Sequence, residues 1–341
     1  MTRGRSRLTI RDIAELAGVS IATVSRAVNG RGDVSEETRA LVRRIASEHG
    51  YRANREARGL STGRTGLIGV TLPMIHPTYF SAIVGSIAEA LDERDMWIVL
   101  CPTGHQHDRE VSLIDRLMHG TTDGAILVLP EETGSELRAL IRQGFPCVVV
   151  DPSEQPDEDI PAVSAAHSVG ADQAVRHLLG LGHRRIAAIT GPRRRLATEE
   201  RLRGYFAALA GAGIATDPAL IAESEFKVEG GHEAMARLLA LPEPPTAVFA
   251  FNDPLAIGAM QAARARGLRV PDELSIVGFD DTTEARFVTP ALTTVRQPLE
   301  EMGRMAVSLL VQQLEREVEP PVHIELATKL VVRDSTAPWR T

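Results

Sequence analysis

The sequence has 341 residues, a net charge of −7 and an ordinary globular composition, with 43% hydrophobic and 24% charged residues. Its length corresponds to about two to three domains at roughly 150 residues each, and its composition argues against a wholly disordered chain. No apolar run reaches the roughly 18 residues that span a bilayer, and no apolar h-region follows the basic start MTRGRSRLTI. Two cysteines, Cys101 and Cys147, are too few for a disulfide framework. We therefore expect a cytoplasmic protein with no membrane partner.

Charge is distributed unevenly along the chain. Residues 1–64 contain 13 Arg against 7 Asp and Glu, a net charge of +6, whereas the remainder contains 25 basic and 38 acidic residues, a net charge of −13. A basic segment on an acidic body predicts that this segment alone binds a polyanion. Its arginines are interleaved with periodic apolar residues, which favours a folded unit over a solvated charge run.

The first 50 residues predict three short helices. Thr9 can cap the first helix, with Asp12 at its N3 position. The apolar stripe of this helix consists of Ile13, Leu16 and Ala17. Gly18 then ends the helix, because glycine readily takes the positive φ of a tight turn.

Two further helices complete this small unit. Ser20 caps the second helix, which ends near Asn29, and Ser35 caps the third. The apolar residues of the second helix are Ile21, Val24, Ala27 and Val28, and those of the third are Leu41, Val42, Ile45 and Ala46. Two helices joined by a short glycine-containing turn form the helix-turn-helix pattern. The third helix is needed to close a core that two helices cannot bury alone.

From Gly66 onward, apolar strands alternate with helices. The predicted strands are 66–72, 97–101, 125–129, 147–150, 186–190, 247–250 and 276–279. The predicted helices are 80–91, 108–118, 137–141, 202–210 and 255–265. Fully apolar strands alternating with helices indicate parallel sheets covered on both faces. The series is too long for one compact unit, so we predict two α/β lobes with a cleft between them.

The helix-turn-helix segment carries a specific string, A-G-V-S-x-x-T-V-S-R-x-x-N. It occurs here as Ala17-Gly18-Val19-Ser20, Thr23-Val24-Ser25-Arg26 and Asn29, followed by Val34-Ser35, Thr38-Arg39 and Gly50-Tyr51. These residues closely resemble the DNA-binding headpiece of the LacI/GalR family of bacterial transcription regulators. The resemblance implies that the second helix enters the major groove of a double-stranded, pseudo-palindromic DNA operator.

The same resemblance implies roles for residues of the second helix. Ile21 and Ala22 would discriminate sequence and Arg26 would hydrogen-bond a base edge. The residues expected to position the helix on phosphates are Ser20, Thr23 and Asn29, and the remaining expected DNA-binding residues are Thr9 and Ser25. Because Ile21 and Ala22 have no hydrogen-bonding side chain, discrimination there would use thymine methyl groups or DNA shape. The alternative for Ile21 is a place in the core.

The segment N-R-E-A-R-G-L resembles the family's hinge helix. Leu60 would wedge into the central base step, Ala57 would lie where paired hinge helices meet, and Asn54 would lie near phosphate. Two residues depart from the family pattern: Ala53 stands where proline is usual, and Glu56 adds a carboxylate. The alternative is a flexible solvated linker, because so short a helix is marginal in water.

The rest of the chain resembles the family's effector domain, which has the fold of periplasmic sugar-binding proteins and closes about its ligand. Matching landmarks include Leu67-Ile68-Gly69-Val70, Gly191-Pro192, Asn252-Asp253 and Val277-Gly278-Phe279-Asp280-Asp281. The resemblance implies an effector cleft lined by Tyr79, Phe80, Asp151, Arg201, Phe226, Asn252, Asp280 and Gln297. Carboxylates, amides and a guanidinium hydrogen-bond sugar hydroxyls, and an aromatic face stacks on sugar C–H groups. A small sugar is therefore the favoured effector.

Several of these residues have a plainer interpretation. Phe80 and Phe226 could belong to the core. Arg201 could form an ion pair with Glu199 or Glu200. Asn252 could serve only as a helix cap, and we interpret Asp281 as a turn or cap residue. Arg195 stands at the offset after Gly-Pro where the family's purine-sensing branch has an arginine, but in the run Arg193-Arg194-Arg195 we interpret it as part of a solvated loop. A purine thus remains the alternative effector.

Catalytic constellations are not recognisable in the sequence. His105-x-His107 lacks a carboxylate or cysteine at metal-ligand spacing and is interpreted as a solvent-exposed pair. Neither a phosphate-binding G-x-x-x-x-G-K-[ST] loop nor a G-x-S-x-G elbow occurs. Cys101 and Cys147 are interpreted as small core residues. We expect no enzymatic activity, no metal and no cofactor.

The predicted fold is an α-helical helix-turn-helix headpiece followed by an α/β, two-lobed periplasmic-binding-protein-like effector domain with parallel sheets. The predicted domains are a headpiece at 1–52, a hinge at 53–65 and an effector-binding and dimerisation domain at 66–341. Lobe one covers about 66–163 and 295–325, and lobe two about 164–294 and 326–335. The predicted function is a homodimeric repressor of carbohydrate-utilisation genes that a small sugar releases from its operator. The alternative is a repressor that binds DNA together with a purine or other co-repressor.

Overall fold

The computed structural model describes residues 8–28, 34–49, 51, 64–76, 78–131, 134–315 and 323–339. The chain divides at Gly66 into two compact units, Met1–Gly66 and Leu67–Thr341. We call the first unit the headpiece and the second the C-terminal unit. In the described ranges, no helix is both long enough and apolar enough to cross a membrane.

The described residues of the headpiece contain three helices. They are α1 Ile10–Ala17, α2 Ile21–Val28 and α3 Glu36–Glu48. The predicted caps are confirmed: the Thr9 hydroxyl accepts a hydrogen bond from the Asp12 amide, and the Asp12 carboxylate accepts one from the Thr9 amide. Gly18 ends α1 with φ of 65°, and the Ser35 hydroxyl caps α3 by accepting from the Thr38 amide at 3.2 Å.

The headpiece core draws on all three helices, as the sequence predicted. Its buried residues are Ile13, Ala14, Val24, Ala27, Val42 and Ile45. The prediction that Leu16 belongs to the apolar stripe was wrong, because the residue is 52% exposed. At about 100° of rotation per residue, the inward stripe runs through Ile10, Ile13, Ala14 and Ala17 and leaves Leu16 at its outer side.

The C-terminal unit alternates strands and helices. Its strands are β1 Leu67–Leu72, β2 Trp97–Pro102, β3 Gly124–Val128, β4 Cys147–Val150, β5 Ala162–Ala165, β6 Ile186–Thr190, β7 Ile221–Glu223, β8 Ala247–Ala250, β9 Ser275–Asp280, β10 Thr293–Arg296, β11 His323–Leu326 and β12 Lys329–Val331. Its helices are α4 Thr78–Asp92, α5 His107–Arg116, α6 Gly134–Arg142, α7 His167–Gly180, α8 Leu196–Gly211, α9 Val228–Leu238, α10 Asp253–Ala265, α11 Thr283–Phe287 and α12 Leu299–Glu315. The predicted helix 108–118 ends at Arg116 and continues as a wide turn, Leu117–Thr121.

Two six-stranded sheets define two lobes. The first sheet has the order β11-β5-β4-β3-β1-β2 and is parallel throughout. The second has the order β12-β10-β9-β8-β6-β7 and is parallel except for β12, which runs antiparallel to β10. The chain crosses between the sheets three times, from β5 to α7, from β10 to α12 and from β11 to β12. The predicted pair of parallel α/β lobes is confirmed.

Each lobe has its own apolar core. In the first lobe, buried residues of β1, β3 and β4 contact α4 and α12. In the second lobe, β6, β8 and β9 are covered by α7 and α8 on one side and α10 on another. Because parallel strands end at the same edge of a sheet, the loops after the strands collect polar residues between the two lobes.

Candidate functional site

Helix α2 is held by a cap at its first turn. The Ser20 hydroxyl accepts a hydrogen bond from the Thr23 amide at 3.0 Å and lies 2.8 Å from the Thr23 hydroxyl. Val24 and Ala27 are buried against the other two helices. The cap and this buried side fix which face of α2 points outward.

The outward face of α2 carries three residues expected to read DNA. Ile21 is 43% exposed, so it does not belong to the core, and Ala22 and Arg26 are exposed as well. Arg26 Nε donates to the carbonyl oxygen of Ala22 at 3.3 Å. Ser25 is half-buried. An exposed guanidinium in the last turn of this helix, folded back toward Ala22, suits a guanine edge, and a methyl and a branched alkyl group in the first turn suit thymine.

Thr9 caps α1, so its side chain is already engaged in a hydrogen bond within the headpiece. Its backbone and side chain both bond to the Asp12 carboxylate, at 2.6 and 2.8 Å, and these bonds lower the pKa of Asp12. The other expected DNA-binding residues lie outside the described residues. They are Asn29, Asn54, Ala57 and Leu60.

Between the lobes of the C-terminal unit, a buried polar cluster begins at Asp151. This residue follows β4 with φ of 53°, and its carboxylate accepts hydrogen bonds from Tyr79 Oη at 2.7 Å and from His167 Nε2 at 2.8 Å. All three side chains are at least nine-tenths buried. Burial alone would raise the pKa of Asp151, but His167, Tyr79 and Arg201 together bring it below its usual value. Tyr79 and Asp151 belong to the first lobe, while His167 opens α7 of the second.

Arg201 extends this cluster into the second lobe. Its Nη2 lies 3.3 Å from His167 Nδ1 and 3.8 Å from Asp280 Oδ1, and its Nη1 donates to the carbonyl oxygen of Phe251. The guanidinium carbon sits 4.0 Å from the centre of the Phe279 ring. The alternative in which Arg201 pairs with neighbouring glutamates is therefore wrong. Because Arg201 donates to His167 Nδ1 while His167 Nε2 donates to Asp151, the bonds fix the imidazole as the Nε2–H tautomer.

The cluster ends at Asp280 and Gln297. Gln297 Nε2 donates to Asp280 Oδ1 at 2.7 Å, and both residues are buried. Burial raises the pKa of Asp280 to about 7, against the opposing effects of Arg201 and Gln297. Asp280 has φ of 116°, and an aspartate held there marks a backbone that its surroundings over-determine. Within the described ranges, buried Arg201 Nε and buried Gln297 Oε1 have no hydrogen-bond partner.

Three of the expected effector-binding residues lie outside this hydrogen-bonded cluster. Phe80 is buried in the core of the first lobe, edge-on to Tyr79 at 5.1 Å. Asn252 caps α10, its Oδ1 accepting from the Leu255 amide at 2.9 Å. Phe226 is half-buried against the core of the second lobe.

Two residues are placed differently from the sequence interpretation. Arg195 does not lie in a solvated loop: its side chain is 8% exposed and donates to Glu131 and, at 2.6 Å, to Ser153 Oγ. Asp281 has the positive φ of a turn, 58°, but its carboxylate is fully buried. It binds three arginines, Arg286, Arg296 and Arg333.

The remaining candidates for chemistry are inert or half-exposed. Within the described part of the chain, no group of three or more His, Cys, Asp and Glu is arranged to hold a metal ion. His105 and His107 are 42% and 44% exposed, and they pair with Glu131 and Glu136. Burial raises the pKa of the Cys147 thiol to about 12, which disfavours the nucleophilic thiolate.

His167 is a member of the buried cluster that sequence reasoning missed. It contacts both lobes, yet it follows a strand, β5, that carries no recognisable apolar run. A polar residue directly after a buried strand is the signal that would have found it, had β5 been recognised.

Comparison with known proteins agrees with this architecture. Residues 9–54 match the lacI family of bacterial regulatory proteins and residues 175–336 match the periplasmic binding protein-like domain. The chain is 36% identical over 338 residues to the HTH-type transcriptional regulator DegA of Bacillus subtilis (strain 168), covering 98% of this chain and 100% of that protein. It is 35% identical over 331 residues to the HTH-type transcriptional repressor CytR of Escherichia coli (strain K12), with 96% of each covered.

Solved structures show the same similarity. The lac repressor dimer bound to operator and the anti-inducer ONPF matches with a TM-score of 0.87 and 30% identity, over 97% of this chain and 100% of that chain. The complex of the transcriptional regulator CelR with cellobiose matches with a TM-score of 0.75 and 36% identity, over 96% and 100%.

A helix-turn-helix headpiece with an outward-facing second helix, joined to a two-lobed domain of the periplasmic binding protein type, defines a DNA-binding transcriptional regulator. With relatives more than 30% identical over nearly its whole length, the chain belongs to the lacI family of bacterial regulatory proteins.

Proposed function

We propose that this regulator is a cytoplasmic, homodimeric repressor that binds a pseudo-palindromic operator and leaves it when a small sugar binds between the two lobes. The observation that carries the effector part is the buried cluster joining Asp151, His167 and Arg201 across the lobe boundary. Taking polar groups out of water costs free energy unless they are bonded, so a protein retains such a cluster where it has a use. The role is regulatory, and we assign no catalytic step.

The chemistry of the cluster favours a polyhydroxylated ligand. It offers carboxylate acceptors at Asp151 and Asp280 and donors at Tyr79 and Arg201. Arg201 Nε is a donor and Gln297 Oε1 an acceptor, and both are buried without a partner among the described residues. A sugar hydroxyl donates one hydrogen bond and accepts others, so a set of hydroxyls can satisfy both kinds of atom. We propose the eight expected effector-binding residues as the site, with the phenylalanines supplying apolar surface.

Two relatives support a sugar. CelR of Thermobifida fusca is 37% identical over 339 residues, covering 97% of this chain and 99% of that protein, and the solved CelR complex contains cellobiose. A LacI family regulator from Enterococcus faecium with bound ribose matches with a TM-score of 0.72 and 28% identity, over 80% of this chain and all of that one. Arg195, the residue that would favour a purine, is already bonded to Glu131 and Ser153.

The proposed mechanism couples lobe closure to DNA binding. Two headpieces related by a twofold axis would read two half-sites, with the segment 53–65 as a hinge at the operator centre. A sugar bound between the lobes changes their relative position and disfavours the paired hinges. Such a coupling is worth about 1–3 kcal/mol in typical allosteric systems, so release is partial rather than complete. A co-repressor version reverses the sign of this coupling.

The experiment combines two measurements on the full-length protein. The operator is first selected from random DNA, and thermal shift is then recorded with cellobiose, ribose, other mono- and disaccharides, guanine and hypoxanthine. A ligand at 100 times its dissociation constant stabilises by about 2.7 kcal/mol, which a shift readily shows. We expect one sugar to raise the melting temperature and to lower operator affinity. A shift with purines alone, or a sugar that strengthens operator binding, would overturn the inducer assignment.

A matched pair of variants locates the site. Gln297→Leu removes both the amide that bonds Asp280 and the unpartnered oxygen, whereas Gln143→Leu changes an exposed glutamine at the end of α6. We expect the first variant to lose the sugar-induced shift and the second to keep it. Equal loss in both, or none in either, would place the sugar elsewhere.

A further inference from the structure

A second contact between the lobes lies outside the buried cluster. Arg195, immediately before α8 in the second lobe, donates through Nη2 to Glu131 Oε1 and through Nη1 to Ser153 Oγ at 2.6 Å. Glu131 and Ser153 belong to the first lobe, in the loops after β3 and β4. The backbone joins the contact, because the Leu196 amide donates to the Ser153 carbonyl oxygen at 2.8 Å. Two consecutive residues of one lobe are thus bonded to the other.

The acceptor side is held in place by its own lobe. The Glu131 amide donates to Glu110 Oε2 at 2.8 Å, and Glu110 is buried in α5. Glu131 Oε1 also lies 3.1 Å from His105 Nδ1, and the Ser153 hydroxyl donates to the Pro130 carbonyl oxygen. These bonds keep the Glu131 carboxylate and Ser153 in position for Arg195, so little ordering remains to be done when the lobes meet.

The Arg195–Glu131 pair is strong compared with an ordinary surface ion pair. The side chains are 8% and 18% exposed, so water screens them poorly. Contacts with His105 and with Arg195 lower the pKa of Glu131 to about 2, which keeps the carboxylate charged at neutral pH. Thr78 and Glu284 also join the two lobes, through a hydroxyl–carboxylate bond of 2.7 Å between α4 and α11. Of these two interlobe contacts, only the one at Arg195 pairs opposite charges and also includes a backbone hydrogen bond.

We propose that Arg195 and Glu131 form an interlobe latch that favours the closed C-terminal unit, so that Arg195 is a positioning residue for effector binding and not an effector contact. The inference rests on the proposed function, because the latch matters only if the effector binds between the lobes. A site that is competent only when closed has an apparent dissociation constant divided by the closed fraction. The latch therefore sets effector affinity and dissociation rate from outside the buried cluster.

The test begins without any effector. Hydrogen exchange of the Leu196 amide in the full-length protein reports lobe separation, because its acceptor lies in the other lobe. The variants are Glu131→Gln, Arg195→Gln and the double variant. The matched controls are Glu136→Gln, which pairs with His107 inside the first lobe, and Arg193→Gln, which pairs with Glu223 inside the second.

We expect exchange at Leu196 to accelerate about tenfold, or about 1.4 kcal/mol, in each single latch variant. The double variant should exchange little faster than either single variant, since each single change already removes the same interaction. Amides of β1 should keep their protection in every variant and thereby show that the fold is intact. Wild-type exchange in both single latch variants, or the same acceleration in Arg193→Gln, would overturn the latch.

The second arm uses cellobiose, ribose and hypoxanthine as probes. For any probe sugar that binds the wild type, Glu131→Gln and Arg195→Gln should weaken binding by similar factors, chiefly through faster dissociation. If neither these sugars nor the wider panel of mono- and disaccharides bind, the sugar assignment fails, while the exchange measurement still decides the latch. Hypoxanthine binding that Arg195→Gln abolishes and Glu131→Gln preserves would make Arg195 an effector contact and overturn the proposal.

Discussion

Asp280 and Gln297 are joined by a hydrogen bond of 2.7 Å at the ends of two neighbouring parallel strands, β9 and β10. A second hydrogen bond joins their backbones: the Gln297 backbone N–H donates to the Asp280 carbonyl oxygen at 3.3 Å. The pair closes the buried cluster on the side of the second lobe, and it holds a carboxylate whose pKa burial raises to about 7. A group that titrates near neutral pH in this position links the stability of the protein to pH.

We predict that the wild type loses stability relative to Asp280→Asn as pH rises from 5 to 8. The folded-state pKa of Asp280, about 7, lies above the ordinary aspartate pKa of 3.8, so folding favours the protonated carboxyl. Its contribution is complete below about pH 4 and is lost as pH rises through 7, with a slope of at most about 1.4 kcal/mol per pH unit. Denaturant unfolding of the C-terminal unit at four pH values measures it. Asp159→Asn, at an exposed position, is the control; parallel curves for wild type and Asp280→Asn would contradict the prediction.

Gly191 gives a prediction about the ring of Phe226. A Cβ atom at Gly191 would lie 2.0 Å from the Phe226 ring, so Gly191→Ala must displace that ring. Overpacking of this kind costs about 1–3 kcal/mol, and it should also weaken binding of any sugar that stacks on Phe226. Gly180→Ala is the control, because nothing lies within 4 Å of a Cβ there. Thermal unfolding compares the two, and equal melting temperatures would show that the ring moves freely.

The headpiece should unfold as a separate transition, which Gly18→Ala can reveal. Gly18 has φ of 65° and open space around a Cβ, so alanine meets backbone strain alone, at about 1 kcal/mol. Gly144 has φ of 74° and equally open space, but it lies in the C-terminal unit. In calorimetry, Gly18→Ala should lower only the headpiece transition and Gly144→Ala only the other. A shift of both transitions by either variant would show that the two units unfold together.

The headpiece was predictable because its helices begin with local signals. Thr9 with Asp12, Ser20 and Ser35 cap the three helices through contacts within three residues, so no distant part of the chain is needed. The error at Leu16 came from assigning the stripe by hydrophobicity alone. Ala14 is less apolar than leucine, but the rotation of the helix per residue places Ala14, and not Leu16, on the inward face.

The two lobes were predictable only where strands carry continuous apolar runs. β5 reads Ala-Val-Ser-Ala and was not predicted, nor were α7, β10 and α12. These elements carry the chain between lobes, and their pairing depends on residues far away in sequence. β5, for example, pairs with β11, about 160 residues later.

The candidate site shows the same limit more sharply. Asp280 and Gln297 were named through family resemblance, and the structure joins them. His167 was missed because it follows the unrecognised strand. The burial of Arg195 depends on Glu131, 64 residues earlier, and a run of three arginines in sequence cannot show that one of them is bonded across a lobe boundary.

Arg26 provides the sharpest test of how the headpiece reads DNA. Its side chain is exposed on the same face of α2 as Ile21 and Ala22, where a guanidinium can make two hydrogen bonds to a guanine edge. We predict that Arg26→Ala loses about 1–3 kcal/mol of preference for the selected operator over scrambled DNA. The thermal shift with the effector sugar should be unchanged, because that site lies in the other unit.

Arg43→Ala is the control for charge, since it removes an exposed arginine from α3. Loss of a charge that only meets phosphate weakens binding to all sequences alike and lowers its salt dependence. Fluorescence anisotropy with both DNAs at several salt concentrations separates the two effects. If Arg26→Ala weakens binding to operator and to scrambled DNA by the same factor, Arg26 contacts the DNA backbone. Ile21 and Ala22 would then discriminate the sequence, through thymine methyl groups and DNA shape.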